Sequence, residues 1–234
     1  MKIGILNAYL TSKDPNSYQL QYEPMLLDFL KLAMPTAEFR SFKVGYGDFP
    51  KEVTECDGWI ITGSPNSAYE KSDWILKLGE WIQSCDQNKI KLLGICFGHQ
   101  IISHFLGGHV EKSRKGWGVG VRKFNVVQNA AWMEPGTSPV RLLFSHQDQV
   151  DQLPTNATLL ATDEFCPHQM FCIGTHIFSM QGHPEFTRSY SLARMESRQS
   201  LLGEEVFKTG VASLSQPTDE NLVGTWIRQF FGMP

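Results

Sequence analysis

Short apolar runs alternate along the first half of this chain with longer segments whose apolar residues recur every three or four positions, the pattern of buried strands joined by amphipathic helices. Lys2–Leu6 reads as a strand, and Leu20–Ala33 carries Met25, Leu26, Phe29, Leu30 and Ala33 on one helical face before Pro35 stops it. The polar residues from Thr11 to Ser17 predict a loop between the two. Glu38–Lys43 and Gly58–Thr62 follow as strands, and Ser72–Gln83 places Trp74, Ile75, Leu78 and Ile82 at helical spacing. This order predicts an α/β fold whose open, mostly parallel sheet is covered by helices on both faces.

The stretch Lys91–Gln100, K-L-L-G-I-C-F-G-H-Q, changes period at Cys96. Leu92, Leu93 and Ile95 suit a strand buried on both sides, whereas Ile101, Ile102, Phe105 and Leu106 recur at helical spacing. Beyond Gly107-Gly108 the glycine-punctuated region from His109 to Val127 predicts a β excursion, and Trp132–Pro139 a loop. Val140–Phe144 is a short strand leading into S-H-Q-D-Q-V, which reads as a binding loop or, equally, a solvated turn. Ala157–Thr162 and Gln169–Ile173 predict a hairpin or meander, and Ile177–Gln181 the last strand, ending in Gly182-His183-Pro184-Glu185. Helices are expected over Tyr190–Phe207 and Asn221–Phe231, with Thr209–Thr218 as loop between them. The organisation expected is one domain over residues 1–234, with a core to about residue 186 and a helical C-terminal extension from about 187.

Composition narrows the partners. Hydrophobic residues at 41%, charged residues at 19% and a formal charge of −3 give no reason to expect nucleic acid or an anionic membrane, and leave small molecules as the default ligands. The five cysteines show no disulfide-like or zinc-like spacing, which points to free thiols in a reducing compartment. The first ten residues read as a buried strand, too short and too interrupted for a signal sequence, so a cytoplasmic location is the expectation.

The chemistry centres on Cys96. A strand-to-helix turn this tight pushes its side chain above the sheet, and Gly94 and Gly98 allow the close packing that such a nucleophile elbow requires. The N–H of Phe97 and its successors, the unpaired first donors of a helix, would favour negative charge on whatever reacts with the sulfur. A free thiol is only a few per cent ionised at neutral pH, so a base is required. His183 falls just past a strand end, as Cys96 does, and Glu185 can orient its ring from the other side. Gly63, directly after a strand, would let backbone amides face the same crevice. His104, His109, His168 and His176 read as structural, while His99 lies within the elbow helix itself.

G-I-C-F-G-H-Q, S-H-Q-D-Q-V and Q-G-H-P-E together, with G-W-I-I-T-G-S and the segment from L-G-G-H-V to G-W-G-V-G, resemble the triad-type class I glutamine amidotransferases, nearest the amidotransferase domain of GMP synthase and its stand-alone relatives. The resemblance covers most of Met1–Glu185 and implies a flavodoxin-like fold. It implies Cys96 as nucleophile, His183 as general base and acid, Glu185 as its orienting partner, and the backbone amides of Gly63 and Phe97 as the oxyanion hole. Gln100 with Ser145, His146 and Gln147 would hold the amino-acid end of the substrate. Where the family often carries paired glycines this chain has Gly63-Ser64, and the roughly fifty residues after the triad contain no phosphate-binding loop. The implied activity is release of ammonia from glutamine through a γ-glutamyl thioester, without metal or organic cofactor, for a separate synthetase if one accepts the ammonia. The alternative is a γ-glutamyl peptidase acting on amides such as glutathione conjugates, and the third reading an interaction domain that kept the fold.

Overall fold

Residues 1–10, 14 and 17–233 are described by the computed structural model, so the loop expected over Thr11–Ser17 lies mostly outside the described residues. The parallel half of the sheet is built from β1 (Lys2–Leu6), β2 (Glu38–Phe42), β3 (Gly58–Ile61), β4 (Lys91–Ile95) and a late strand, Ile177–Met180. Six further strands precede that last one: β5 (His109–Lys112), β6 (Gly118–Val126), β7 (Val140–His146), β8 (Asp148–Gln152), β9 (Ala157–Thr162) and β10 (Met170–Ile173), which makes Ile177–Met180 β11. The order across the main sheet is β2-β1-β3-β4-β11-β10-β9-β6-β7, parallel from β2 to β11 and antiparallel beyond, while β5 and β8 pair separately.

Alternation along the parallel strands sends their side chains to two different helical layers. Ile3 and Ile5 of β1, Ile60 of β3, and Leu93 and Ile95 of β4 share one core with Leu26 and Leu30 of α1 (Tyr22–Ala33) and Trp226, Ile227 and Phe230 of a C-terminal helix, Glu220–Phe230. Trp59, Ile61 and Leu92 turn the other way, onto Ile75, Leu78 and Ile82 of α2 (Asp73–Gln87) and Ile101 and Ile102 of α3 (Phe97–Phe105). Gly4 is where it is because Trp59 lies across it: a Cβ there would sit 2.0 Å from the indole. Because β2 and β3 flank β1 on opposite sides, the chain reverses direction between them, and in open sheets ligands bind above the strand ends at such a switch.

The region after Glu185 departs from expectation. The single helix expected over Tyr190–Phe207 is three: α4 (Arg188–Glu196), α5 (Gln199–Leu202) and α6 (Glu204–Ser213), followed by α7 (Glu220–Phe230). Ser197 turns its hydroxyl back onto Arg194 O (2.9 Å), and Gly203, at φ 78°, breaks the next turn. α6 runs through residues expected as loop because it packs on β6: a Cβ on Gly210 would lie 2.8 Å from Val119, and Ser213 Oγ accepts from Val121 N–H (2.8 Å). The segment S-H-Q-D-Q-V is not a loop either, since β7 runs through His146 and β8 starts at Asp148.

Candidate active site

Cys96 is the one residue between β4 and α3, at φ 54° and ψ −101°, a backbone conformation that costs a non-glycine residue roughly 1–3 kcal/mol. Neighbouring glycines hold it there. A Cβ on Gly98 would come 2.3 Å from Ile61 O, and one on Gly94 2.6 Å from the backbone of Gly98, so helix and strand touch at distances no side chain allows. Cys96 N–H donates to Met180 O (2.8 Å) and its carbonyl accepts from Gln100 N–H (3.0 Å), which fixes the turn from both ends. Cys96 is thus the N-cap of α3, whose first-turn N–H groups, those of Phe97, Gly98 and His99, have no intrahelical acceptor.

His183 arrives at the same rim. Its N–H donates to Leu143 O (2.8 Å), an isolated bridge that ties β7 to the residues beyond β11. Nδ1 lies 2.8 Å from Glu185 Oε1, and since a carboxylate only accepts, Nδ1 carries the proton. Phe186 stacks on the ring with centroids 3.8 Å apart. Nε2 is buried without a hydrogen-bond partner among the described residues, while Gly63 brings ring and thiol residue together: a Cβ on it would lie 3.2 Å from His183 Cε1 and 3.9 Å from Cys96 Cβ. Burial works against a charge on His183, but the Glu185 carboxylate and Cys96 outweigh it and hold the ring's pKa at about 9.

Gly63 N–H, which the resemblance assigns to the oxyanion hole, already has a partner. It donates to the buried Tyr22 hydroxyl (3.0 Å), which in turn donates to Glu185 Oε1 (3.4 Å). A phenol with no access to water needs such partners, and Tyr22 takes the amide that the resemblance assigns to the oxyanion. The next amide, that of Ser64, has no hydrogen-bond partner among the described residues.

A cavity of about 380 Å³ opens beside Cys96 and is lined by Gln100, Ser145, His146 and Gln147 among others. Gln100 commits its amide hydrogens to Asp148 O (2.7 Å) and Gln181 Oε1 (3.0 Å), leaving its carbonyl oxygen as the group it could offer. His146 bonds through Nδ1 to Asp148 O (3.0 Å), and burial pushes its pKa down to about 3. His99 pairs with Ser179 Oγ (2.9 Å) and is likewise pushed down to about 3 by burial, so both are neutral near pH 7, His99 in the core and His146 at the cavity wall. Among the described residues no three His, Cys, Asp or Glu side chains group as metal ligands.

A model of the glutamine amidotransferase class-I family matches residues 37–199, a span from β2 to α5 that contains Cys96, His183 and Glu185. The chain belongs to that family. Among its relatives, γ-glutamyl peptidase 3 of Arabidopsis thaliana is 42% identical over 155 residues, 63% of this chain and 62% of that protein, so the match spans about three-fifths of the relative's length. The glutamine-hydrolyzing GMP synthase of Dehalococcoides mccartyi is 32% identical over 132 residues, 56% of this chain and 24% of the synthase. A glutamine amidotransferase from Thermotoga maritima has the same fold, with a TM-score of 0.78 over 98% of this chain and 97% of that one at 18% identity. No helix among the described residues of this amidotransferase-family chain is long and apolar enough to cross a membrane.

Three site residues of this class I domain were not singled out by the sequence. Tyr22 falls on the same helical face as Leu26 and Leu30, and that spacing marks it as buried without revealing its hydrogen bonds. Arg194 and Arg198 also line the cavity. Arg194 donates from Nε to Ser145 Oγ and from Nη1 to Tyr9 Oη, both at 2.8 Å, and their four-residue spacing was the signal available.

Proposed function

We propose that this chain hydrolyses γ-glutamyl amides through a γ-glutamyl thioester on Cys96, with γ-glutamyl peptides as the preferred donors. The observation that carries the reading is the convergence of a cysteine held at positive φ on an elbow with a buried imidazole–carboxylate pair at the same rim of the sheet. The Cys96 thiol gives its proton to His183 Nε2 and the sulfur attacks the side-chain amide carbon, and the oxyanion that forms is met by the Phe97 N–H and by the free N–H of Ser64. Loss of one such donor typically costs about 3–4 kcal/mol of transition-state stabilisation. His183 gives the leaving nitrogen its proton as the C–N bond breaks. Water then attacks the thioester, losing a proton to the same Nε2, and the γ-carboxylate and the thiol are released. Glu185 fixes the tautomer, and Tyr22 fixes Glu185 against the Gly63 turn.

Preference for peptides over glutamine is supported by the 42% identity to γ-glutamyl peptidase 3. The second reading, ammonia release from glutamine for a synthetase supplied separately, is favoured by the match to GMP synthase. The two share every named residue and differ in the leaving group, so kcat/KM decides between them. We expect the purified chain to prefer γ-glutamyl dipeptides over glutamine by tenfold or more, about 1.4 kcal/mol of differential transition-state binding. A preference for glutamine would give the second reading its place.

A further inference from the structure

Arg194 is only 4% exposed, yet no Asp or Glu among the described residues pairs with it. Its hydrogen-bond acceptors are neutral, the hydroxyls of Ser145 and Tyr9. Arg198 lies one turn further on, its guanidinium 5.4 Å above the Trp117 ring and likewise without a carboxylate. A buried cation is ordinarily retained with an anion beside it, and two guanidiniums sharing a wall repel each other. Lys112, Arg194 and Arg198 line the cavity, against Asp148 as its lone carboxylate among the described residues. A γ-glutamyl group brings one ammonium and one carboxylate of its own and leaves this excess uncompensated.

The direction of the cations matters as much as their number. The Arg194 guanidinium carbon is 6.0 Å from the centroid of Phe186, the ring that stacks on His183 at 3.8 Å. In the proposed mechanism the leaving nitrogen takes its proton from His183, so this cation lies one ring away from the imidazole at which the leaving amine departs. We propose that Arg194 and Arg198 form a carboxylate subsite for the leaving amine, and that the substrates are γ-glutamyl amides of amino acids or peptides that end in a free carboxylate. This rests on the γ-glutamyl amide reading. Arginine suits the task because its planar donors meet both oxygens of a carboxylate at once.

The test compares three substrates on the full chain: γ-glutamylglycine, γ-glutamylglycinamide, which differs only by the missing charge, and glutamine. Wild-type protein is expected to favour γ-glutamylglycine over the glycinamide by tenfold or more in kcat/KM, mainly through KM. In R198Q, chosen because Arg198 is less buried than Arg194, that ratio should fall to within threefold of one, and the loss on γ-glutamylglycine should exceed the loss on glutamine. The wild-type comparison needs no variant and stands even if R198Q folds poorly. Equal wild-type rates on γ-glutamylglycine and its amide would overturn the subsite while leaving γ-glutamyl hydrolysis intact. Equal losses in R198Q on all three substrates would also overturn it, assigning the guanidiniums to the shared γ-glutamyl end or to the field on the thiolate. Hydrolysis of none of the three would remove the underlying reading and the subsite with it.

Discussion

At the residue scale, His183 differs from the other deeply buried histidines in the direction of its shift, since its surroundings raise its pKa while burial lowers those of His99 and His146. The His183 pKa lies near 9 rather than at the ordinary 6.5 because Glu185 and Cys96 outweigh the penalty of burial. The sign follows directly: the charged ring's contribution to stability is complete below about pH 6.5 and is lost as pH rises through about 9. Activity that needs a protonated His183 to release the amine should therefore fall on the alkaline side near pH 9. Glu185→Gln removes the first of the partners that raise this pKa, so the alkaline limb of the kcat/KM profile should move to lower pH. Turnover should fall less in Glu185→Gln than in His183→Ala, because the imidazole takes part in both proton transfers and the carboxylate mainly orients it. An unmoved alkaline limb in Glu185→Gln, or a His183→Ala protein that keeps most of its turnover, would contradict these roles. Cys96, His183 and Glu185 were legible in the sequence because each is fixed by a strand end and its own neighbours. Tyr22, Arg194 and Arg198 were not, since their contacts join segments 41 or more residues apart or depend on where a distant helix docks.

At the scale of elements, the elbow is a packing problem solved by glycine. β4, α3 and the end of β3 meet so closely that a methyl group on Gly98 would strike the Ile61 carbonyl at 2.3 Å. Gly98→Ala should cost roughly 1–3 kcal/mol in urea unfolding, the range for overpacking a well-packed core, and should lower turnover by displacing the helix that carries the Phe97 N–H. Wild-type stability and turnover in Gly98→Ala would mean that the helix does not need this approach. Four of the five parallel strands, β1, β3, β4 and β11, were readable to within about a residue because burial on both faces leaves largely apolar runs, whereas the edge strand β2 is mostly exposed. The region after Glu185 was not. Helix breaks at Ser197 and Gly203 depend on a side chain bonding its own backbone and on a positive φ, and the extension of α6 to Ser213 depends on contact with β6, none of which periodicity reports.

At the scale of the whole molecule, the site is assembled from the carboxyl ends of β3, β4 and β11, with β7 tied to His183 and α4 supplying the cationic wall of the cavity. α7 does not stand apart from that assembly, since Trp226 and Phe230 share a core with β1, β3 and β4. The sheet thus brings together residues spread from Tyr22 to Arg198, and in the proposed reading they serve one covalent step. That step is tested most directly by mixing the protein with a γ-glutamyl dipeptide, quenching in acid within the first turnovers, and locating any adduct by peptide mass spectrometry. The predicted result is a single γ-glutamyl residue on the peptide that contains Cys96, absent from Cys96→Ala, which should not turn over. A γ-glutamyl adduct on Cys56, Cys85, Cys166 or Cys172 instead, or turnover retained by Cys96→Ala, would contradict it.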